Sequence, residues 1–362
     1  MTVNRYRRLP VGIQSFKIIR EENYLYVDKS DIVWNMVNLG DKYNYLSRPR
    51  RFGKSVLVDT LESYLEGRKD LFEGLKIMQM EKEWKQYPVI RLDMSRGGAN
   101  EATLRSYLNL RFKDYEQKYN ITPDPTAMLA DRFHAIIATA YKQTGLRVAV
   151  LIDEYDSPLQ HSWKTPEHEK CTGVYREVFA ILKADDEYEQ FIFITGITKF
   201  TQISLFSVLN NLSNISFMPE YATICGITEE EIKENFMPEL KQMSEANNWS
   251  IQETHDRLKA YYDGYHFSRR NMVDVYNPYS LVNALKSKEI INFWASSGAT
   301  SLLPKFVDNA ELRMKNFENC RIMRNTLEMS DVSGGGAELF LYQSGYLTIK
   351  KQFRICSIDI RR

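Results

Sequence analysis

An α/β fold, with a mostly parallel sheet followed by a mainly helical region, is what this sequence predicts. Three observations carry it. Short apolar runs alternate with longer helical ones between about residues 40 and 200. Those runs, such as VAVLI (148–152), are continuous rather than alternating, as in strands buried on both faces. Past residue 225 they give way to helix-start signals.

The first strand reads YNYLS (43–47). The helix after it, SVLVDTLESYLEG (55–67), has apolar residues at 56, 57, 61, 64 and 65 and stops at Gly67. PVIRLDM (88–94), RVAVLID (147–153) and FIFITGI (191–197) are the other strands, with helices over 101–118 and 126–142. Thr228 then stands as an N-cap before a run of glutamates that suits a helix start. The aromatic stretch YYDGYHF (261–267) and the turn-like NPYS (277–280) follow. After a loop at SGGG (333–336), AELFLYQSGYLTIKK suggests a short helix and a strand. The division expected is 1–225 for a nucleotide-binding domain, 226–330 for a helical one and 331–362 for a short C-terminal segment.

Composition narrows the class. With 43% hydrophobic and 26% charged residues over 362 positions, the chain reads as a soluble globular protein of two or three domains. A formal charge of +1 provides no overall field for nucleic acid or an anionic membrane, so any basic site is local. Four cysteines without a CxxC pair indicate neither a disulfide framework nor a zinc knuckle. The N-terminus lacks a signal-peptide h-region, and no apolar run approaches the roughly 20 residues that cross a bilayer. A cytoplasmic location is expected.

The densest basic cluster is SRPRRFGKS (47–55). A phosphate-binding loop asks for Gly, four residues, then Gly-Lys-Ser/Thr. Gly53, Lys54 and Ser55 fit the end, while Arg48 stands where the first glycine belongs. Pro49 fixes one φ angle, so the turn can be rigid by another route. The loop Arg48, Pro49, Arg50, Arg51, Phe52, Gly53, Lys54, Ser55 is thus the candidate ATP cradle, with Lys54 on the phosphates and Ser55 on Mg²⁺. Arg48, Arg50 and Arg51 could add charge to the phosphates or to a partner chain; alone, the tripeptide is equally a solvated basic loop.

The second motif raises the odds. RVAVLIDEYD ends a strand in Asp153 and Glu154, the form of a Walker B motif. Asp153 would hold Mg²⁺ through water and Glu154 would polarise the attacking water, against the plainer reading of solvated acids at a strand exit. The third strand ends in Thr195, Thr198 and Lys199, where P-loop ATPases with an extra central strand place a γ-phosphate sensor. Thr198 is the first choice and Thr195 the second, threonines capping a strand end being the alternative.

With these residues placed, the chain resembles the bacterial AAA-ATPase-like proteins whose C-terminal half often carries a PD-(D/E)XK nuclease domain. The resemblance rests on LPVGIQSFKIIREENYLYVDKS (9–30), LSRPRRFGKSVLVDTL (46–61), VLIDEYDSPL (150–159) and FITGITKFTQISLFSVLNNL (193–212), with YYDGYHF and LYQSGYLTIK in support. It implies a P-loop NTPase sheet of the additional-strand class followed by a winged-helix-like region. It also implies Walker A roles for Lys54 and Ser55, and Walker B roles for Asp153 and Glu154. Tyr26, Asp28 and Lys29 fall in the family's N-terminal motif. Phe16 and Tyr24 could stack on an adenine, though aromatics at that spacing are more often core. The chain runs from QFRICSIDIRR straight to its end, so it resembles the ATPase part without the nuclease. Glu116-Gln-Lys118 and Glu231-Ile-Lys233 match the nuclease triplet but lie in expected helices and receive no catalytic role.

The leading expectation is an Mg²⁺-dependent ATP-binding protein that hydrolyses ATP slowly and switches conformation. The alternatives are a nucleotide-gated module for protein or nucleic acid without hydrolysis, and a truncated remnant of an ATPase–nuclease fusion. A homo-oligomer or a protein partner fits either working reading; near-neutral charge gives duplex binding little support.

Overall fold

The computed structural model describes residues 8–199, 211–268, 270, 272–296, 303–307, 320–323, 326, 336–352 and 357–361. The TQISLFSVLN half of one resemblance motif (201–210), Cys356 and most of SGGG lie outside them.

Five strands form the central sheet: β1 (Tyr43–Ser47), β2 (Val89–Asp93), β3 (Val148–Asp153), β4 (Glu189–Gly196) and the short β5 (Ser213–Asn214). Their spatial order is β2-β3-β4-β1-β5, and every neighbouring pair is parallel. All carboxyl ends therefore open on one edge, with β4 lying between β1 and β3. Alternate residues face opposite sides. Tyr45, Ile90, Leu92, Val150, Ile152, Ile192 and Ile194 pack on one side. Leu46, Val89, Ala149, Leu151, Phe191 and Phe193 pack on the other.

Helices α1 (Phe16–Glu21), α2 (Ser30–Asn38) and α3 (Lys54–Leu65) supply buried residues to the second side, as does α4 (Ile77–Met80). Helices α5 (Glu101–Lys118), α6 (Leu129–Thr144) and α8 (Glu167–Phe179) cover the first, with α7 (Ser157–Ser162) and α9 (Ile181–Ala184) between the last strands. Helix α6 begins at Leu129 rather than at 126, because Asp124 accepts the backbone N–H and hydroxyl of Thr126 at 2.8 and 2.6 Å. That local turn competes with the helix for the same groups.

Beyond the sheet, Thr228 caps α10 (Glu229–Asn235) in a reciprocal capping box with Glu231. Helices α11 (Met237–Asn247), α12 (Ile251–Tyr262) and α13 (Pro278–Ser287) pack through Leu240, Met243, Leu258, Tyr262, Leu281 and Leu285, and Leu25 of the N-terminal segment joins them. Strands β6 (Ile227–Thr228) and β7 (Val275–Tyr276) pair antiparallel beside this core. Short helices α14 (Phe293–Ser296) and α15 (Leu303–Phe306) lead to β8 (Cys320–Met323), α16 (Gly336–Gln343), β9 (Thr348–Gln352) and β10 (Ser357–Arg361). The last strands form an antiparallel sheet, β8-β10-β9, that the sequence pattern does not announce.

The N-terminal motif acts as a fastener. Asp28 accepts the N–H groups of Ser30 and Lys76 at 2.9 and 2.8 Å, and Lys29 pairs with Glu231 across 202 residues. Phe16 is fully buried between Tyr26 and Phe72, so it is core and no base can stack on it. Arg8 covers the ring of Tyr24 at 4.3 Å.

Candidate functional site

Helix α3 starts where the basic loop ends. Gly53 holds φ +88°, a left-handed value that favours glycine, and serves as N-cap without a side-chain bond. Arg51, at φ +68°, adopts the same region without being glycine. Two left-handed residues within three positions bend the loop round the helix start, where first-turn N–H groups have no intrahelical acceptor. This is the setting in which anions bind.

Lys54 is the first helical residue, and its side chain folds back under the loop. Its Nζ donates to Arg48 O at 2.9 Å and to Pro49 O at 3.0 Å. Burial lowers its pKa, opposed by Glu154, Asp153 and Asp156 in that order. The Ser55 hydroxyl favours the charged form of the Asp153 carboxylate, which accepts the Glu154 N–H at 2.9 Å. Burial pushes the Asp153 and Glu154 carboxyls up, and the Lys54 ammonium partly offsets this in both. Glu154 sits at φ +47°, a strained backbone of the kind that gathers at functional sites. Lys54, Ser55, Asp153 and Glu154 thus meet at the carboxyl ends of β1 and β3. The hydroxyl and carboxylate at its centre are hard oxygen donors of the type Mg²⁺ takes, and too few to cage it without waters and phosphates. Among the described residues no cluster of three or more His, Cys, Asp or Glu could hold a metal.

The remaining loop residues face elsewhere. Arg48 is 1% exposed; its guanidinium donates to Ser47 O and Ser216 O at 2.9 Å and to Tyr221 O at 2.8 Å, and lies 4.2 Å from the centre of the Phe267 ring. Burial pushes its pKa down to about 10. Its backbone N–H donates to Gly196 O at 3.2 Å. The arginine in the glycine position therefore latches β1 to the segment after β5, which corrects the expectation that it adds charge to phosphates. Phe52 likewise is 1% exposed and meets Tyr265 and Phe267 edge-on at 4.8 and 5.3 Å, so its ring is core. Arg51 covers Tyr279 at 4.8 Å. Pro49 lies under Gly345, where an added Cβ would sit 2.7 Å from the proline Cβ. Trp294 Nε1 donates to Arg50 O at 3.3 Å and packs edge-on against Tyr346. The YYDGYHF stretch lies against the loop through Tyr265 and Phe267 and, through His266 N–H to Thr348 Oγ1 at 2.8 Å, against β9.

The two threonines are both fully buried. Thr195 Oγ1 donates to Leu46 O at 2.7 Å, which stitches β4 to β1. Thr198 Oγ1 donates to Asp156 Oδ2 at 2.6 Å and accepts from Gln160 at 2.9 Å. A buried hydroxyl requires a partner, and these have found protein partners rather than facing a phosphate. Asp156, which sequence reasoning passed over, is 1% exposed and central to this network. Its sequence signal is a third acid two residues past Glu154, in DEYD.

The nuclease-like triplets are engaged structurally. Glu116 is held by Arg132, whose Nε and a terminal nitrogen donate to it at 2.6 and 2.9 Å, and Glu231 serves Lys29 and the α10 capping box. No helix among the described residues is long and apolar enough to cross a membrane.

Comparison with known proteins agrees with this arrangement. A family described as "AAA-ATPase_like: Predicted AAA-ATPase" matches residues 10–206. A protein of Azotobacter chroococcum mcd 1, "Uncharacterized protein in vnfD 5'region", is 32% identical over 353 residues; the match takes in 96% of this chain but 65% of that protein's length. The solved "walker-type atpase paby2304 of pyrococcus abyssi" overlaps 94% of both chains at 13% identity with a TM-score of 0.45, a likeness too slight to carry an argument.

Proposed function

The chain belongs to the AAA-ATPase-like family, and on that premise we propose that it binds ATP with Mg²⁺ at the 48–55 loop and hydrolyses it slowly as a conformational switch. The supporting observation is the meeting of four residues. Lys54 rests on its own loop's carbonyls at a helix N-terminus, while the Ser55 hydroxyl favours the charged form of Asp153 next to Glu154. A triphosphate takes over the role of those carbonyls for Lys54, and the first-turn N–H groups of α3 receive its oxygens. Mg²⁺, when bound, would take the Ser55 and Asp153 oxygens and neutralise charge on the phosphates. Glu154 orients and deprotonates the attacking water; burial raises its pKa, which makes it a better proton acceptor. In this reading β4 is the additional strand, the helices of 229–287 are winged-helix-like, and the protein works in the cytoplasm.

Binding without hydrolysis is the second reading. It is supported by the loop's contacts with Tyr265, Phe267 and Tyr279, which give the occupied loop a way to reposition its neighbours. A protein partner or a second copy would then read the switch.

A fluorescent ATP analogue titrated with Mg²⁺ into the wild type and Lys54→Ala tests the premise of both. Losing the charged bonds of Lys54 to phosphate predicts binding at least about tenfold weaker. Equal affinity in the two proteins refutes the loop as the phosphate site. Hydrolysis is separated by Glu154→Gln, which should bind the analogue and turn over at background.

A further inference from the structure

After Asp153 the chain turns sharply through Glu154, Tyr155 and Asp156 into α7, with Ser157 N–H donating to Glu154 O at 3.0 Å. Each residue after the strained Glu154 is tied to the exit of β4. Tyr155 N–H donates to Thr195 O at 3.0 Å, and the Tyr155 hydroxyl donates to Thr198 O at 2.9 Å. Asp156 gathers more. Its Oδ2 accepts the N–H groups of Ile197 and Thr198 at 3.0 and 2.6 Å, the Thr198 hydroxyl at 2.6 Å and the Gln160 amide. Gln160 closes the ring by donating to Thr198 Oγ1 as well. This carboxylate is buried, and these four donors are all neutral; hydrogen bonds to a carboxylate are stronger than those between neutral groups.

We propose that Asp156 is a positioning residue for ATP hydrolysis: it locks the exits of β3 and β4 together, so that Glu154 is held at a fixed place against the phosphates bound beside it. This rests on the hydrolytic reading above. Glu154 then lies between two anchors, Asp153 on the Ser55 side and Tyr155–Asp156 on the β4 side, which is why its left-handed backbone persists. Lys54 donates its hydrogen bonds to Arg48 O and Pro49 O rather than to Asp156, so loss of the clamp acts more on turnover than on ground-state binding.

The test compares wild type, Asp156→Ala and Asp156→Asn in analogue affinity and single-turnover hydrolysis. A second measurement is amide exchange of the 195–199 backbone with and without the Mg²⁺-loaded analogue. Asp156→Ala is expected to keep affinity within about threefold while turnover falls by about 10²-fold, the scale of losing a well-placed base. Asp156→Asn keeps an acceptor oxygen at the same place, so its turnover should recover to within about tenfold of wild type. It also carries the comparison if the alanine protein does not fold. Nucleotide should slow exchange at 195–199 in the wild type and not in Asp156→Ala. Affinity and turnover falling together, or turnover that responds to Glu154→Gln but not to Asp156→Ala, overturns the proposal. A wild type without Glu154-dependent turnover refutes hydrolysis instead. The exchange comparison then decides the clamp: the same nucleotide-induced slowing in wild type and Asp156→Ala, or none in either, overturns it.

Discussion

Restoring the glycine is the most direct challenge to the role assigned to Arg48. Arg48→Gly converts the loop to the ordinary phosphate-binding pattern, and a sequence argument would expect it to be harmless or beneficial. The structure predicts damage. The guanidinium satisfies three backbone carbonyls, of Ser47, Ser216 and Tyr221, and covers Phe267. Each buried carbonyl left without a donor costs about 1–3 kcal/mol, and the lost cation–π contact up to about 2 kcal/mol. Glycine adds about 0.5–1 kcal/mol of backbone entropy. Against these stands the desolvation penalty of a buried charge, visible in the lowered pKa. The net is about 3–5 kcal/mol, the scale of breaking a buried charged group's contacts by removing one side. At roughly 2–4 °C per kcal/mol for a large domain, the melting temperature should fall by about 6–20 °C. Arg48→Lys should fall in between, since an ammonium lacks the guanidinium's fork. Scanning calorimetry, with analogue affinity measured alongside, is the assay. A glycine variant that melts within about 2 °C of wild type would refute the latch, the more so if it binds nucleotide as tightly.

Three further outcomes are expected. Glu189 is fully buried against the Tyr43 hydroxyl at 2.7 Å, and burial pushes its pKa from 4.5 up to about 8. Its folded pKa is raised, so the folded state holds a proton that the unfolded state releases. Stability is then fully present below pH 4.5 and declines toward pH 8 by at most about 1.4 kcal/mol per unit. Urea midpoints should show this slope in the wild type and lose it in Glu189→Gln; equal slopes would contradict the buried proton. Glu154→Gly relieves the left-handed backbone at φ +47° and should gain about 1 kcal/mol of stability while abolishing turnover; a less stable glycine variant would show that the strain is not there. Gly345→Ala forces a Cβ to within 2.7 Å of the Pro49 Cβ at φ +90°. It should cost about 1–3 kcal/mol and weaken analogue binding severalfold through the displaced loop. Wild-type affinity in a folded variant would show that the 345 turn does not bear on the site.

Much of the frame was legible before any coordinates. YNYLS is β1 to the residue, and the strands ending at Asp153 and near Gly196 lie within two residues of where their apolar runs place them. Continuous runs buried on both faces can only be central strands of a covered sheet, and that constraint is local. Thr228 declared its helix for the same reason, because a cap and its glutamate lie three residues apart. Lys54 and Ser55 at a helix start, and Asp153 and Glu154 at a strand exit, were also local facts.

What only the tertiary structure decided was where the other polar side chains found their partners. Arg48 reaches residues 168 and 173 positions later, and Thr195 finds a carbonyl 149 positions earlier. Nothing in a basic loop or a strand end tells a phosphate ligand from a buried latch, because both need the same donors. The difference lies in burial. Arg48 and Thr198 are enclosed by segments that arrive from far along the chain, and a buried donor must bond whatever that enclosure offers. Asp156 went unnoticed for the same reason: the donors that define its role belong to the exit of β4, about 40 residues away.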